Sequence, residues 1–362
     1  MDPKKVFQGL YTGLNIADAY QKGGYQAMTP EVGLSAFFDR RFSDASTLGT
    51  TIQGLIRLSR KDFPALANRE EVYFYSGPNR LAGYIYRADV SRGVVLYVHG
   101  MAGMADDQYA IGQNYFLTHG YSVFAIDLTA SGRSEGHGVP GLHQSALDVF
   151  SAIKYLQNRP DFENMPLYLF GHSWGGYGVA ASLAFRPKVN AVVSLSGFDT
   201  PLKEMVSIPS AKIGLPVLLP RDDIEEPLHR RGGEYYDLCA SKAILDSGVP
   251  TLIFHGEQDT TVPLKGASIF EVAEGSNVEK VLCPSKVHMD IFFTDASNAY
   301  ANQVLSMAND LSGRYGKAIA NVPPAELNAF LKSFDPRMTS VLDDAVFGRI
   351  DAFFASHLDN IS

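Results

Sequence analysis

Residues 167–176 read LYLFGHSWGG, and this stretch is the strongest indication of the fold in the sequence. The apolar run 167–170 is typical of a buried strand, and the small residues that follow are typical of a closely packed helix. Between them, Gly171, Ser173 and Gly175 fit the pattern G-x-S-x-G. A sharp turn from strand to helix needs glycine on both sides of the serine, because a side chain there would clash with the backbone. We therefore predict a nucleophilic serine at a helix amino terminus, where free N–H groups favour negative charge.

Short apolar runs alternate with helical patterns from residue 72 onward. The runs are 72–75, 81–87, 94–98, 122–127, 166–170, 191–195, 251–254 and 278–282, and the intervening helical patterns include 106–118, 144–157 and 175–185. Several runs are apolar at every position, as strands covered by helices on both faces should be. This alternation predicts a mostly parallel, eight-stranded, doubly wound sheet. The first two runs are separated only by 76–80, so we expect an antiparallel hairpin at one edge.

Three segments fall outside this alternation. Residues 1–70 have helical apolar spacing and precede the sheet, which predicts an amino-terminal helical extension. Residues 198–247 interrupt the strands with prolines and charges. Residues 292–338 predict additional helices, and 341–357 predicts a last amphipathic helix. The predicted core is therefore 71–197 together with 248–362.

A serine hydroxyl becomes a nucleophile when a base removes its proton. In proteins with this order of motifs, the basic histidine follows the last strand. Of the nine histidines, only His288 and His357 lie beyond residue 260, and His357 falls within the last predicted helix. His288 is therefore the predicted base.

The base needs a carboxylate that fixes its tautomer and stabilises the imidazolium. Asp259 follows the run 251–254 and is the preferred candidate. Asp199 follows the preceding strand, and Glu257 lies two residues away from Asp259. Both remain alternatives from the sequence alone.

The oxyanion of an acyl-transfer reaction needs two preorganised N–H donors. Trp174 directly follows the serine and is predicted to supply one of them. The loop after 94–98 begins His99-Gly100-Met101, and the glycine lets the chain turn so that Met101 supplies the other. We predict a structural role for His99, and also for His255.

Four blocks of sequence occur in the order found in one superfamily. They are HGMAGMADDQY (99–109), YSVFAIDLTASGRSEG (121–136), LYLFGHSWGG (167–176) and HGEQDTTVP (255–263). Together they resemble the α/β-hydrolase superfamily, and within it the monoglyceride-lipase or lysophospholipase-like and serine-aminopeptidase-like hydrolases. The resemblance covers about 72–290 and the last helix. It implies the α/β-hydrolase fold, with nucleophile, acid, base and oxyanion donors at Ser173, Asp259, His288, Met101 and Trp174. It also implies a cap at 198–247, because the family inserts its cap at that position.

The resemblance has two limits. The loop after Asp127 lacks the histidine that such lipases often carry there. Residues 1–70 and 292–338 match no part of the family pattern. The role of both segments is left open by the sequence.

Composition excludes several other classes. The chain has 31 basic and 39 acidic residues, a net charge of −8, which argues against a nucleic-acid or anionic-membrane partner. No apolar run approaches the roughly 18 residues of a membrane span, and the amino terminus lacks the apolar region of a signal peptide. Cys239 and Cys283 form no disulfide framework, and no His/Cys spacing matches a zinc site. We therefore expect a cytoplasmic protein without stable membrane insertion, cofactor or metal, and its oligomeric state is not readable.

These observations favour a serine hydrolase that acts on a small-molecule ester of a small or medium acyl group. A serine at the elbow excludes the dehalogenases and epoxide hydrolases, which need a carboxylate there. A peptidase or amidase of the aminopeptidase type is the first alternative, because the cap contains an acidic set that could bind an amine. This acidic set is Asp222, Asp223, Glu225 and Glu226, and a solvated charged face is its preferred interpretation. A non-catalytic binding module on the same fold is the second alternative.

Overall fold

The structure is a computed structural model, and it describes residues 34–35, 37–44, 52–213, 222–316 and 319–358. At 52–53, 208–213, 222–223 and 320 it describes the backbone alone. The apolar cap residues 215–219 and the start of the predicted amino-terminal extension lie outside the described residues. Within the described ranges, the helices are all too short or too polar to cross a membrane.

Eight strands form one sheet in the order β1-β2-β4-β3-β5-β6-β7-β8. The first two strands form the predicted hairpin, β2 is also antiparallel to β4, and the remaining neighbours are parallel. The strands are β1 Glu70–Ser76, β2 Asn79–Tyr86, β3 Val94–Val98, β4 Ser122–Ile126, β5 Leu167–His172, β6 Ala191–Leu195, β7 Thr251–Gly256 and β8 Val278–Cys283. The predicted mostly parallel sheet of eight strands is confirmed.

The central strands are buried on both faces because their residues alternate between two apolar clusters. In β3, Val94, Leu96 and Val98 belong to one cluster, while Val95 and Tyr97 belong to the other. This period of two is that of a strand whose successive side chains point to opposite faces. A layer of helices covers each face, as the sequence predicts.

The helices divide between the two faces of the sheet. Residues of α3, α4 and α7 share one cluster, and residues of α2 and α11 share the other. The helices are α1 Ile52–Ile56, α2 Ala110–Thr118, α3 Gln144–Gln157, α4 Trp174–Ala181, α5 Pro201–Ile213, α6 Asp222–Gly232, α7 Ala240–Ser247, α8 Ile269–Val272, α9 Asp295–Gly313, α10 Pro324–Leu331 and α11 Asp344–Ala355.

One predicted helix boundary is wrong by several residues. The helix expected from residue 106 begins at Ala110, because the Asp107 carboxylate accepts hydrogen bonds from the backbone N–H of Met104 and of Tyr109. A short acidic side chain that bonds nearby backbone N–H groups favours a turn over a continued helix. The segment before α2 is therefore a turn, and it lies directly after the loop predicted to supply an oxyanion donor.

The two segments that match no family pattern pack against each other. Ile56 of α1 is fully buried in a third cluster with Val304 and Leu311 of α9 and Phe330 of α10. The hydroxyl of Thr339 also donates a hydrogen bond to the carbonyl oxygen of Ile56. Part of the predicted extension and the helices of 292–338 therefore form one packed unit beside the main core.

Ile56→Ala tests whether this unit contributes to global stability. Removing a fully buried isoleucine side chain should cost about 2–5 kcal/mol in the free energy of unfolding. Leu245→Ala is the matched control, since Leu245 is 58% exposed and should change stability by less than about 0.5 kcal/mol. Urea denaturation of the two variants provides the comparison, and equal midpoints would show that α1 is not docked on α9.

Candidate active site

The turn between β5 and α4 holds Ser173 in a strained backbone conformation. Its φ is 56° and its ψ is −119°, a region that non-glycine residues rarely adopt. A methyl group on Gly171 would lie 2.3 Å from the carbonyl oxygen of Gly175, and one on Gly175 would lie 2.4 Å from that of Val98. Only glycine fits at both positions, so the turn presents Ser173 at the amino terminus of α4.

The predicted base and acid meet across the loops that follow β8 and β7. Nδ1 of His288 lies 2.7 Å from Oδ2 of Asp259. The other carboxylate oxygen, Oδ1, accepts hydrogen bonds from the backbone N–H of Thr261 and of Val262. A carboxylate can only accept, so Nδ1 of His288 carries the hydrogen. Nε2 is then left as the proton acceptor, which is the tautomer that a general base requires.

Charge on Asp259 is stabilised by its neighbours. Its side chain has no exposed surface, and burial alone would raise its pKa. The hydrogen bond from His288, the nearby His255 and the Val262 N–H outweigh burial and hold the pKa of Asp259 below its usual value. The carboxylate therefore stays ionised beside the imidazole.

The two alternative carboxylates are engaged elsewhere. Asp199 is buried, forms an ion pair with Lys203 at 2.6 Å and accepts a hydrogen bond from the N–H of Ser241. Glu257 is exposed and accepts a hydrogen bond of 3.4 Å from the N–H of Ser285. Asp259 is the carboxylate of the three that the structure brings to His288.

His288 is placed against the serine turn through His172, the residue before Ser173. The two imidazole rings lie 4.7 Å apart, and Nε2 of His172 is 3.1 Å from the carbonyl oxygen of His288. Among the described residues, the Ser173 hydroxyl has no hydrogen bond to His288. Hydrogen bonds between a base and a nucleophile are often long before a substrate binds. The structure therefore brings His288 to the elbow, and its hydrogen bond to Ser173 is expected to form with substrate.

The predicted oxyanion donors lie on two adjoining turns. The N–H of Gly103 donates to the carbonyl oxygen of Gly100 at 3.1 Å, which closes a turn with Met101 at its second position. A methyl group on Gly100 would lie 3.1 Å from Cβ of Ser173, so this turn touches the elbow. The N–H groups of Met101 and Trp174 donate to none of the described residues, and both therefore remain available to an oxyanion. We call residues 100–103 the oxyanion turn.

Residues 37–44, which we call the amino-terminal strap, reach this turn. The hydroxyl of Ser43 donates to the carbonyl oxygen of Gly103 at 2.7 Å and accepts from the N–H of Gly132 at 3.1 Å. Phe42 packs edge-on against the indole of Trp174, with ring centroids 5.3 Å apart. Sequence reasoning missed these contacts, because nothing in the local pattern of 37–44 indicates which loops it will touch.

The segment predicted to be the cap, residues 198–247, also contacts the strap. Arg231 of α6 forms an ion pair with Asp39 of the strap and donates to the carbonyl oxygen of Pro140. Two members of the acidic set are engaged within the cap, since Glu226 pairs with Arg230 and Glu225 accepts from the hydroxyl of Tyr236. The side chains of Asp222 and Asp223 lie outside the described residues. The described acidic residues therefore do not indicate an amine-binding site.

Comparison with known proteins finds that this sequence is similar to hydrolases. The model of the serine aminopeptidase family, S33, matches residues 89–218. Curated relatives include the uncharacterized protein YfhR of Escherichia coli O157:H7, 24% identical over 60% of this chain and 71% of that protein. Lysophosphatidylserine lipase ABHD12 of Danio rerio is 28% identical over 51% of this chain and 48% of that protein.

Solved structures with a similar architecture include an esterase of Pyrococcus furiosus. It has a TM-score of 0.49 and 18% sequence identity, and the match covers 70% of this chain and 94% of that one. Est1E of Butyrivibrio proteoclasticus has a TM-score of 0.45 and 19% identity over 60% of this chain and 90% of that one. The fold assignment therefore depends chiefly on the sheet order and the elbow described above.

Gly175→Ala tests the close backbone approach at the elbow. The added methyl group would meet the carbonyl oxygens of Val98 and His99, which cannot move without disturbing β3. We expect a loss of about 3 kcal/mol in the free energy of unfolding. Gly348→Ala in α11 is the control, because a methyl group there meets nothing within 4 Å and should stabilise the helix by up to about 1 kcal/mol. Thermal unfolding measures both, and similar melting temperatures would contradict the proposed clash.

Proposed function

We propose that this chain, which has the α/β-hydrolase fold, is a serine hydrolase of carboxylic esters with small or medium acyl groups. The observation that carries this proposal is the pairing of His288 with Asp259 at 2.7 Å, beside a serine in the strained elbow conformation. Strain of this kind persists when the surrounding structure enforces it, and it concentrates at functional sites.

The reaction would proceed through an acyl-enzyme. Oγ of Ser173 attacks the ester carbonyl carbon while Nε2 of His288 takes the hydroxyl proton, and Asp259 stabilises the resulting imidazolium. The oxyanion of the tetrahedral intermediate accepts hydrogen bonds from the N–H groups of Met101 and Trp174. Each such donor contributes about 2.7–4 kcal/mol of transition-state stabilisation in comparable sites.

The intermediate then collapses and the acyl-enzyme is hydrolysed. His288 returns its proton to the departing alkoxide, which leaves as the alcohol, and the acyl group remains on Ser173. A water molecule that loses its proton to His288 attacks the acyl carbonyl. The acid departs and Ser173 regains its proton, so the cycle needs no cofactor.

Ester and amide substrates have separate support. A relative named as a lysophosphatidylserine lipase favours an ester substrate, and the engaged Glu225 and Glu226 weaken the case for an amine-binding cap. The match to the serine aminopeptidase model supports a peptidase or amidase as the second candidate. Initial rates on acyl p-nitrophenyl esters and on aminoacyl anilides would separate the two, since each candidate requires the larger kcat/KM for its own substrate class.

A fluorophosphonate probe tests the nucleophile directly. We expect stoichiometric labelling of the wild-type protein, and loss of labelling in Ser173→Ala, because the probe phosphonylates an activated serine. Ser182→Ala is the control, since Ser182 is a buried serine that follows α4 and donates to the carbonyl oxygen of Val179. An unlabelled wild-type protein would overturn the proposed hydrolase, and labelled Ser173→Ala would assign the nucleophile elsewhere.

Substitution of the three carboxylates tests the acid. Asp259→Asn should lower kcat by about 10⁴-fold, because the amide favours the wrong imidazole tautomer. Glu257→Gln should leave kcat within a factor of about 3, and Asp199→Asn should lower the melting temperature more than kcat because it breaks the Lys203 ion pair. Steady-state kinetics with a thermal melt for each variant decides among them. A larger loss of kcat in Asp199→Asn or Glu257→Gln would move the acid to that residue.

A further inference from the structure

His172 is buried between the base and a tyrosine that the mechanism does not use. His172 is only 2% exposed. Nδ1 lies 2.8 Å from the hydroxyl oxygen of Tyr109, and Nε2 lies 3.1 Å from the carbonyl oxygen of His288. The His172 imidazole therefore connects Tyr109 with the main chain of the loop that carries His288.

The chemistry of the partners fixes the direction of both hydrogen bonds. The His288 carbonyl oxygen can only accept, so Nε2 of His172 carries the hydrogen. Nδ1 is then the acceptor, and the Tyr109 hydroxyl donates to it. Burial, together with the neighbouring His288, lowers the pKa of His172 to about 3, so the ring is neutral near pH 7 and carries the single hydrogen that this arrangement needs. Asp259 and His255 also face the ring electrostatically, the carboxylate opposing that shift and His255 adding to it.

Tyr109 also packs against the oxyanion turn. A methyl group on Gly100 would lie 2.6 Å from the Tyr109 hydroxyl oxygen, and one on Gly103 would lie 2.6 Å from a carbon of its ring. The tyrosine therefore contacts both glycines that bound the turn, and the turn fits only because those positions lack side chains. Phe292 packs edge-on against the Tyr109 ring at 6.0 Å and against His172 at 5.2 Å, which fixes the pair from the side of the His288 loop.

We propose that Tyr109 and His172 are positioning residues that hold the oxyanion turn and the His288 loop at a fixed separation around Ser173. Neither is a catalytic residue, because each acts through a group that reacts or binds the oxyanion. The proposal rests on the serine hydrolase function for its kinetic readout. Its physical basis is that a shift of about 1 Å in a reacting group can lower a rate by about 10²-fold.

Tyr109→Phe removes the hydroxyl and keeps the ring. We expect a 10- to 100-fold decrease in kcat, of the order seen for misplaced catalytic groups, with KM within a factor of about 2. Tyr97→Phe is the matched control, because Tyr97 lies in the same buried cluster and its hydroxyl has no hydrogen-bond partner in the described part of the chain. A general cost of removing a buried hydroxyl would affect both variants, whereas a positioning role lowers kcat only in Tyr109→Phe.

Two substitutions of His172 test its hydrogen bond to the His288 carbonyl oxygen. His172→Gln offers an N–H donor to the His288 carbonyl oxygen, and His172→Phe keeps ring bulk without a donor or acceptor. We expect kcat to decrease in the order wild type, His172→Gln, His172→Phe, with little change in KM. Equal kcat in the two variants would show that the hydrogen bond to the His288 carbonyl oxygen has no positioning role.

The rate of fluorophosphonate labelling separates failure of this inference from failure of the proposed function. An unlabelled wild-type protein contradicts the hydrolase assignment itself. A labelled wild-type protein whose Tyr109→Phe variant is labelled at the same rate contradicts only the positioning role. A slower rate in Tyr109→Phe, with Tyr97→Phe unchanged, supports it.

Histidine NMR of the wild-type protein tests the same arrangement without relying on a variant that folds. Between about pH 5 and pH 8 we expect the His172 ring to remain neutral and protonated at Nε2, because its pKa is lowered to about 3. The His172→Gln spectrum assigns the signal where that variant folds, and the contact of its ring with that of Phe292, with centroids 5.2 Å apart, identifies it otherwise. A ring that titrates in this range, or one protonated at Nδ1, would overturn the proposed direction of the hydrogen bonds.

Discussion

The backbones at the end of β3 and the start of α4 approach so closely that no side chain fits between them. A methyl group on Gly175 would lie 2.4 Å from the carbonyl oxygen of Val98. This contact brings the loop after β3 against the elbow, where Ser173 has its unusual backbone conformation. The loops of β7 and β8 then need only to reach the same edge of the sheet, which parallel strands guarantee because their carboxyl ends lie together.

Three buried histidines around the elbow act as hydrogen-bonding groups beside the ionised Asp259. Burial lowers the pKa of His99, His172 and His255, so these rings stay neutral and act through directed hydrogen bonds. His99, for example, accepts from the N–H of Leu128 and donates to the carbonyl oxygen of Gly100. In a low-dielectric site, neutral neighbours leave the charge of Asp259 to act on His288 with little competition. The same histidines fix the loops that the proposed reaction needs.

Sequence predicts those parts of the molecule that depend on local pattern. The strands 94–98 and 191–195 are correct to the residue, because a strand buried on both faces is a continuous apolar run. The start of α2 is wrong because the Asp107 carboxylate bonds backbone N–H groups that a helix would otherwise use. Spacing left three carboxylates open as the acid, and the tertiary contact of Asp259 with His288 separates it from Asp199 and Glu257. Likewise, His172 directly precedes Ser173 in the sequence, but its partner Tyr109 is 63 positions away, so local pattern does not indicate their hydrogen bond.

The segments without family resemblance contact the loops of the site at two places. The strap holds the oxyanion turn through Ser43. The residue after α1, Arg57, contacts the segment that follows His288. Its guanidinium lies 3.8 Å from the ring centroid of Phe293. Ile56 buries its side chain against α9, so α1 and the 292–338 helices each supply the apolar surface that the other needs. Helix α1 and the helices of 292–338 therefore depend on one another for burial, and the strap and Arg57 contact the loops that carry the predicted oxyanion donor and the predicted base.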